Sequence, residues 1–180
     1  EINNTDKPLS FYAASKKCNE VMAYSFSNIY KIPTTGLRFF TVFGPYGRPD
    51  MALFKFTKKI INNRSIELFN NGNHVRDFTH IDDIVDGLYK ITNTIPKTDI
   101  PYEIINIGSG KPRTLNYFLK IIEKVLKKKS KKKYLVYQKG DVLKTSADIS
   151  YLKKKINFKT NIDFEIGIKN FIEWYKKFYI

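Results

Sequence analysis

Segments patterned for strands alternate with segments patterned for helices along nearly the whole chain, and this alternation limits the fold more than any other feature. After Ser10, the stretch from Phe11 to about Tyr30 holds neither Gly nor Pro, which predicts a helix capped by Ser10 and ended before Pro33. TTGLRFF is short and β-rich, a strand leading into the Gly/Pro-rich loop from Gly44 to Asp50. Met51 to Asn63 returns to helical spacing, SIELF reads as a brief strand closed by the turn residues NNGN, and VRDFTH alternates as a further strand. A helix then begins near Asp82, with carboxylates in its first turn where the helix dipole favours them. The strand YEIINIG, the helix LNYFLKIIEKVLKK, the strand YLVY and helical segments around residues 151–156 and 164–178 complete the order. Such an order belongs to the α/β class. No repeat of 20 to 50 residues interrupts it.

Composition narrows the function classes. At 42% hydrophobic and 15% aromatic residues, the 180-residue chain can build a packed core. Its longest apolar stretches fall well short of the ~20 residues that cross a bilayer. Cys18 is the single cysteine and lies on a predicted helix, so no internal disulfide forms and a cytoplasmic setting is the expectation. The formal charge of +15 raises the question of nucleic acid. Most of the excess is lysine spread along the chain. The one dense run, Lys127 to Lys133 broken only by Ser130, reads as a solvated surface after an amphipathic helix. Only five arginines, the side chain suited to bidentate base contacts, are present. A basic module that binds nucleic acid or another polyanion is therefore the non-enzymatic alternative, not the main reading. The first ten residues show no initiator Met and no signal pattern, and read as the middle of something longer.

The strongest local chemical feature is YAASK, with Tyr12 and Lys16 one helical turn apart on one face. An isolated tyrosine, titrating near ~10, is no base at neutral pH, whereas an ammonium held beside the ring stabilises the phenolate. Alone, the pair is also a common surface contact. His74 and His80 in HVRDFTH lack the cysteine or carboxylate spacing of a zinc site, so no metal is expected and neither receives a catalytic role. INIGSGKP imitates a dinucleotide fingerprint through Gly108 and Gly110, but Arg113 stands where the third glycine belongs. It is not a Walker A loop either, since Ile105 and Pro112 replace the first Gly and the Ser/Thr.

The segments PLSFYAASKKCNE, TTGLRFFTVFGPYGRPDMALFKF, NNGNHVRDFTHIDDI, INIGSGKP and GDVLKTSAD follow one another in the order and spacing of extended short-chain dehydrogenase/reductase enzymes that act on nucleotide sugars. The chain resembles the NAD-dependent epimerase/dehydratase family over nearly its entire length, and its RFFTVFGPYGRPDMA block most resembles UDP-glucuronate 4-epimerases. The resemblance implies the carboxy-terminal portion of a Rossmann-like fold. Residues 1–50 would supply the catalytic helix and strand from the end of the Rossmann domain, and residues 51–180 mainly the substrate-binding portion, with segments returning to the Rossmann sheet. It implies Tyr12 as catalytic base and Lys16 as its partner on the nicotinamide ribose of NAD, with Phe39 and Phe40 near the cofactor. Thr41 would contact the sugar carboxylate, Arg76 the diphosphate, Phe69 the uracil ring and Asp141 the ribose, with Arg48 along the substrate cleft. Ordinary alternatives stay open beside these roles: core packing for the three phenylalanines, exposed charge for Arg48 and Arg76, and a plain surface carboxylate for Asp141.

Two parts of that family's active site are absent from these 180 residues: the Gly-rich loop that cradles the NAD pyrophosphate, and the Ser/Thr beside the catalytic tyrosine. Alone, the chain is expected to be inactive or nearly so. A 4,6-dehydratase or a UDP-glucuronate decarboxylase shares the first oxidation and is the alternative enzyme reading. The resemblance also implies a homodimer when complete. Val21, Met22 and Phe26 offer a helix face for such a dimer, and the same face could equally pack against a cofactor domain.

Overall fold

A computed structural model describes residues 5–137 and 141–180. The elements run α1 (Phe11–Tyr30), β1 (Thr34–Phe39), β2 (Thr41–Phe43), α2 (Ala52–Ile61), β3 (Ile66–Phe69), β4 (Val75–His80), α3 (Ile81–Thr92), β5 (Tyr102–Ile107), β6 (Pro112–Thr114), α4 (Leu115–Leu126), β7 (Lys132–Leu135), α5 (Ser150–Ile156) and α6 (Phe164–Tyr179). The α/β order expected from the sequence is therefore the one found.

Helix α1 starts where its cap requires, the Ser10 hydroxyl accepting from the Ala13 N–H at 3.1 Å. It ends at Lys31 in the left-handed region. Among the described residues three small sheets form around the helices. β1 pairs in parallel with β5, β3 in parallel with β7, and β4 is central to the third sheet, parallel to β2 and antiparallel to β6. Two apolar cores result. One gathers α2, α4 and α6 over β3 and β4 through residues such as Ile60, Leu68, Phe118 and Phe171; the other packs α3 and α5 on β5 through Ile91, Ile107, Leu152 and Phe158. Each helix facing a core carries an apolar stripe, and burial of that stripe is the main source of its stability.

Three details depart from the sequence expectation. TTGLRFF is not the whole of the strand structure before the loop, because the chain breaks at Phe40 and resumes as β2, which pairs with β4. PRT forms β6, in a stretch assigned to neither helix nor strand from the sequence. β7 begins two residues before YLVY, at Lys132, where Ile66 to Phe69 of β3 offers its free edge. All three are short strands whose existence depends on a partner far along the chain.

Candidate active site

Tyr12 lies in the first turn of α1 and is 71% exposed. The helical register places Lys16 one turn on, its Nζ 5.3 Å from the centroid of the Tyr12 ring. α1 itself is held to the sheet at one point of high specificity. Arg38 of β1 forks onto Glu20, Nε donating to Oε1 at 2.7 Å and Nη2 to Oε2 at 2.8 Å, while the Tyr102 hydroxyl donates to the Glu20 carbonyl at 3.0 Å. Arg38's hydrogen bond holds the Glu20 carboxyl below its ordinary value.

The open end of Tyr12's helix faces a cleft of about 1500 Å³. Of the residues singled out from the sequence, Tyr12, Phe39, Phe40, Thr41, Arg48, Arg76 and Asp141 line it. Strand registers explain the gathering. Thr41 pairs with Phe78, two residues on from Arg76 in β4, and the Gly/Pro loop after β2 carries Arg48 along the rim. Phe39 is 51% exposed, whereas Phe40 turns part of its ring into the core beside Leu37 and Val42. Arg48 is exposed and forks onto Asp50. Lys16 touches the cleft only through Tyr12, and Phe69 is half-buried at the end of β3, paired in register with Leu135 and outside the cleft lining. A separate cavity of about 290 Å³ includes His80, Asp83 and Asn161 but none of the residues given a role from the sequence.

Arg76 and Asp141 meet directly. Nη2 of Arg76 donates to Asp141 Oδ1 at 2.8 Å, and Nη1 donates to the Val75 carbonyl at 3.0 Å. His74 approaches the same carboxylate, Nε2 to Oδ2 at 3.3 Å. The segment bearing Asp141 is laid beside β4 by backbone bonds, Val75 N–H to the Leu143 carbonyl and Thr145 N–H to the Val75 carbonyl.

Asp77 organises the floor. Fully buried, its carboxylate accepts from Ser109 N–H (2.9 Å), Ser109 Oγ–H (2.6 Å), Gly110 N–H (3.0 Å) and Ala147 N–H (2.9 Å). The backbone donors of the Gly108–Gly110 loop are thus consumed by a carboxylate of the chain itself and cannot cradle a phosphate. This gives a physical reason for the expectation that no cofactor binds there. His80, also buried, caps α3 by accepting from the Asp82 N–H at 3.3 Å, and burial pushes its imidazole below the ordinary value. Among the described residues no cluster of metal-ligating side chains forms.

Residues 1–108 match the NAD dependent epimerase/dehydratase family. The chain belongs to that family. It is 49% identical over 175 residues to an uncharacterized protein of Methanocaldococcus jannaschii, covering 97% of this chain and 52% of that one. It is 43% identical over 173 residues to a UDP-glucuronate 4-epimerase of Thermodesulfobacterium geofontis, covering 96% and 52%. The fold superimposes on the crystal structure of a Bacillus cereus UDP-glucuronic acid 4-epimerase in complex with UDP-glucuronic acid and NAD, with a TM-score of 0.89 at 31% identity, over 96% of this chain and 55% of that one. The chain spans about half the length of the curated relatives it matches.

In and around the cleft the structure also places side chains to which the sequence reading assigned no role: Arg38 in the lining, Asp77 buried beneath it, and His74 beside Asp141. Arg38 and Asp77 each carried a signal, a charged residue inside an apolar strand pattern, which is retained in a core only when paired. Nothing local pointed from His74 to Asp141.

Proposed function

We propose that the chain is the substrate-binding half of an NAD-dependent nucleotide-sugar 4-epimerase that interconverts UDP-glucuronate and UDP-galacturonate. The observation that carries this reading is the opening of Tyr12, with Lys16 over its ring, onto the same cleft as Thr41, Arg48, Arg76 and Asp141.

In this reading the Tyr12 oxygen takes the proton of the sugar 4-hydroxyl and later returns it. The Lys16 ammonium, one turn along α1, favours the phenolate that does so. Arg76, and Arg48 once released from Asp50, present guanidinium forks that match diphosphate oxygens. Thr41 Oγ donates to the uronate carboxylate, which is what favours an acidic sugar over a neutral one. Asp141 accepts from ribose hydroxyls. Bound NAD would supply the acceptor and donor for the hydride that leaves and re-enters carbon 4. The described residues fit its nicotinamide end, where Tyr12 and the exposed Phe39 ring line the cleft with Lys16 behind Tyr12, whereas the Gly108–Gly110 loop has its Ser109 and Gly110 N–H groups bound to Asp77. Activity accordingly belongs to this chain together with a cofactor-binding half.

The test is conversion of UDP-glucuronate by a polypeptide joining both halves. Tyr12→Phe should lower turnover by about 10² or more, and a variant that kept full turnover would sink the mechanism.

A further inference from the structure

His74 is a histidine that the proposed chemistry does not use, yet it is 4% exposed and tied into the site from three sides. Its carbonyl accepts from the Leu115 N–H at 2.9 Å, which fixes the corner leading into β4. Its ring stacks on Tyr137, with centroids 6.2 Å apart and planes at 27°, and the Tyr137 hydroxyl donates to the Asp141 carbonyl at 2.6 Å. Its Nε2 stands 3.3 Å from Asp141 Oδ2, off the line of a hydrogen bond, and has no other partner among the described residues. A buried ring nitrogen left in that state, beside a carboxylate oxygen, is a donor one small rotation from its acceptor.

The two oxygens of Asp141 are thus divided. Oδ1 belongs to Arg76, and Oδ2 faces His74. With only Arg76 as partner, the carboxylate would neutralise the guanidinium, and an incoming phosphate would have to displace it and leave a half-buried charge unpaired. A second donor removes that conflict.

We propose that His74 is a positioning residue: it takes up the Asp141 carboxylate through Nε2–H when Arg76 turns to an anionic ligand, so that both side chains can serve a nucleotide diphosphate at once. The inference rests on the assignment of Arg76 and Asp141 to the nucleotide given above.

The test compares UDP with uridine, which has the same base and ribose but no phosphate, as ligands of the 180-residue chain followed by nuclear magnetic resonance titration. His74→Phe, which keeps a flat ring and removes the donor, should weaken UDP about tenfold and uridine by less than about twofold, and His74→Gln, which restores a donor, should recover most of the loss. Equal weakening of both ligands, or no recovery with glutamine, would overturn the proposal in favour of a packing role. Should His74→Phe fail to fold, the unsubstituted chain still decides: long-range proton–nitrogen correlation should show the imidazole proton on Nε2, and a proton on Nδ1 alone would overturn the proposal. Failure of the unsubstituted chain to bind UDP at all would instead overturn the nucleotide reading, and this inference with it.

Discussion

Asp77 shows how much of the site one residue can carry. Four donors from two separate loops converge on its buried carboxylate; the loop of Ala147 borders the cleft through Thr145, Ser146 and Asp148, and Ser109 lines the separate cavity. Replacing it with alanine would leave three backbone N–H groups without their acceptor, that of Ala147 buried and those of Ser109 and Gly110 partly so, and each costs free energy to the extent that water cannot reach it. Asp77→Ala should therefore destabilise the chain by about 3 kcal/mol or more, a large share of the margin of an ordinary domain. Urea denaturation measures this directly, and a loss under about 1 kcal/mol would show that water replaces the carboxylate without penalty. Neighbouring Arg76 points the other way along the alternating strand, so one dipeptide supplies both a cleft side chain and the staple beneath it.

Among the elements, α1 is the one with the least packing and the most chemistry. Only Ser27 is buried along its length, and Val21, Met22, Phe26 and Ile29 are each more than half exposed. Its seating depends on the Glu20–Arg38 fork and the edge-to-face contact of Tyr24 with Tyr102, rings 5.3 Å apart. Because Arg38 lowers the Glu20 pKa in the folded state, the unfolded chain binds more protons over that interval. The fork's contribution is fully present above about pH 4.5 and is lost as pH falls through the folded value. Glu20→Gln should cost about 1–2 kcal/mol near neutral pH, and the difference from the unsubstituted chain should shrink towards pH ~3. Denaturation midpoints at the two pH values check this, and a gap that did not narrow in acid would place the stabilisation elsewhere.

For the molecule as a whole, two surface properties oppose one another. The apolar face of α1 favours association with other copies, while a net charge of +15 repels them. Salt screens the second and leaves the first, since the Debye length falls from about 10 Å at 0.1 M to about 3 Å at 1 M. Self-association of the 180-residue chain should therefore grow with ionic strength, and Val21→Lys with Phe26→Lys should suppress it. Light scattering across a salt series reads both; a chain that stayed monomeric at high salt and high concentration would show that α1's face is not adhesive. Binding driven by the lysine surface to a polyanion would weaken with salt instead, which separates the enzyme reading from the basic-module alternative. No helix among the described residues is long and apolar enough to cross a membrane.

Local order was legible in the sequence. Helix α1 has the bounds its cap and the Pro beyond it require, α3 and α4 follow their apolar spacing, and Tyr12 with Lys16 is fixed by helical pitch alone. Such features depend on dihedral preference and periodicity within one or two turns. What the tertiary structure decided lies across long separations. β2 and β6 are three-residue strands that exist because β4 supplies their hydrogen bonds, and β7 takes its start from the free edge of β3 rather than from its own apolar residues. The contacts that build the cleft join residues 65 apart in Arg76 and Asp141, and 70 apart in Asp77 and Ala147. No local pattern encodes a pairing of that kind, because the entropy of closing so long a loop is repaid only once both cores have formed around it.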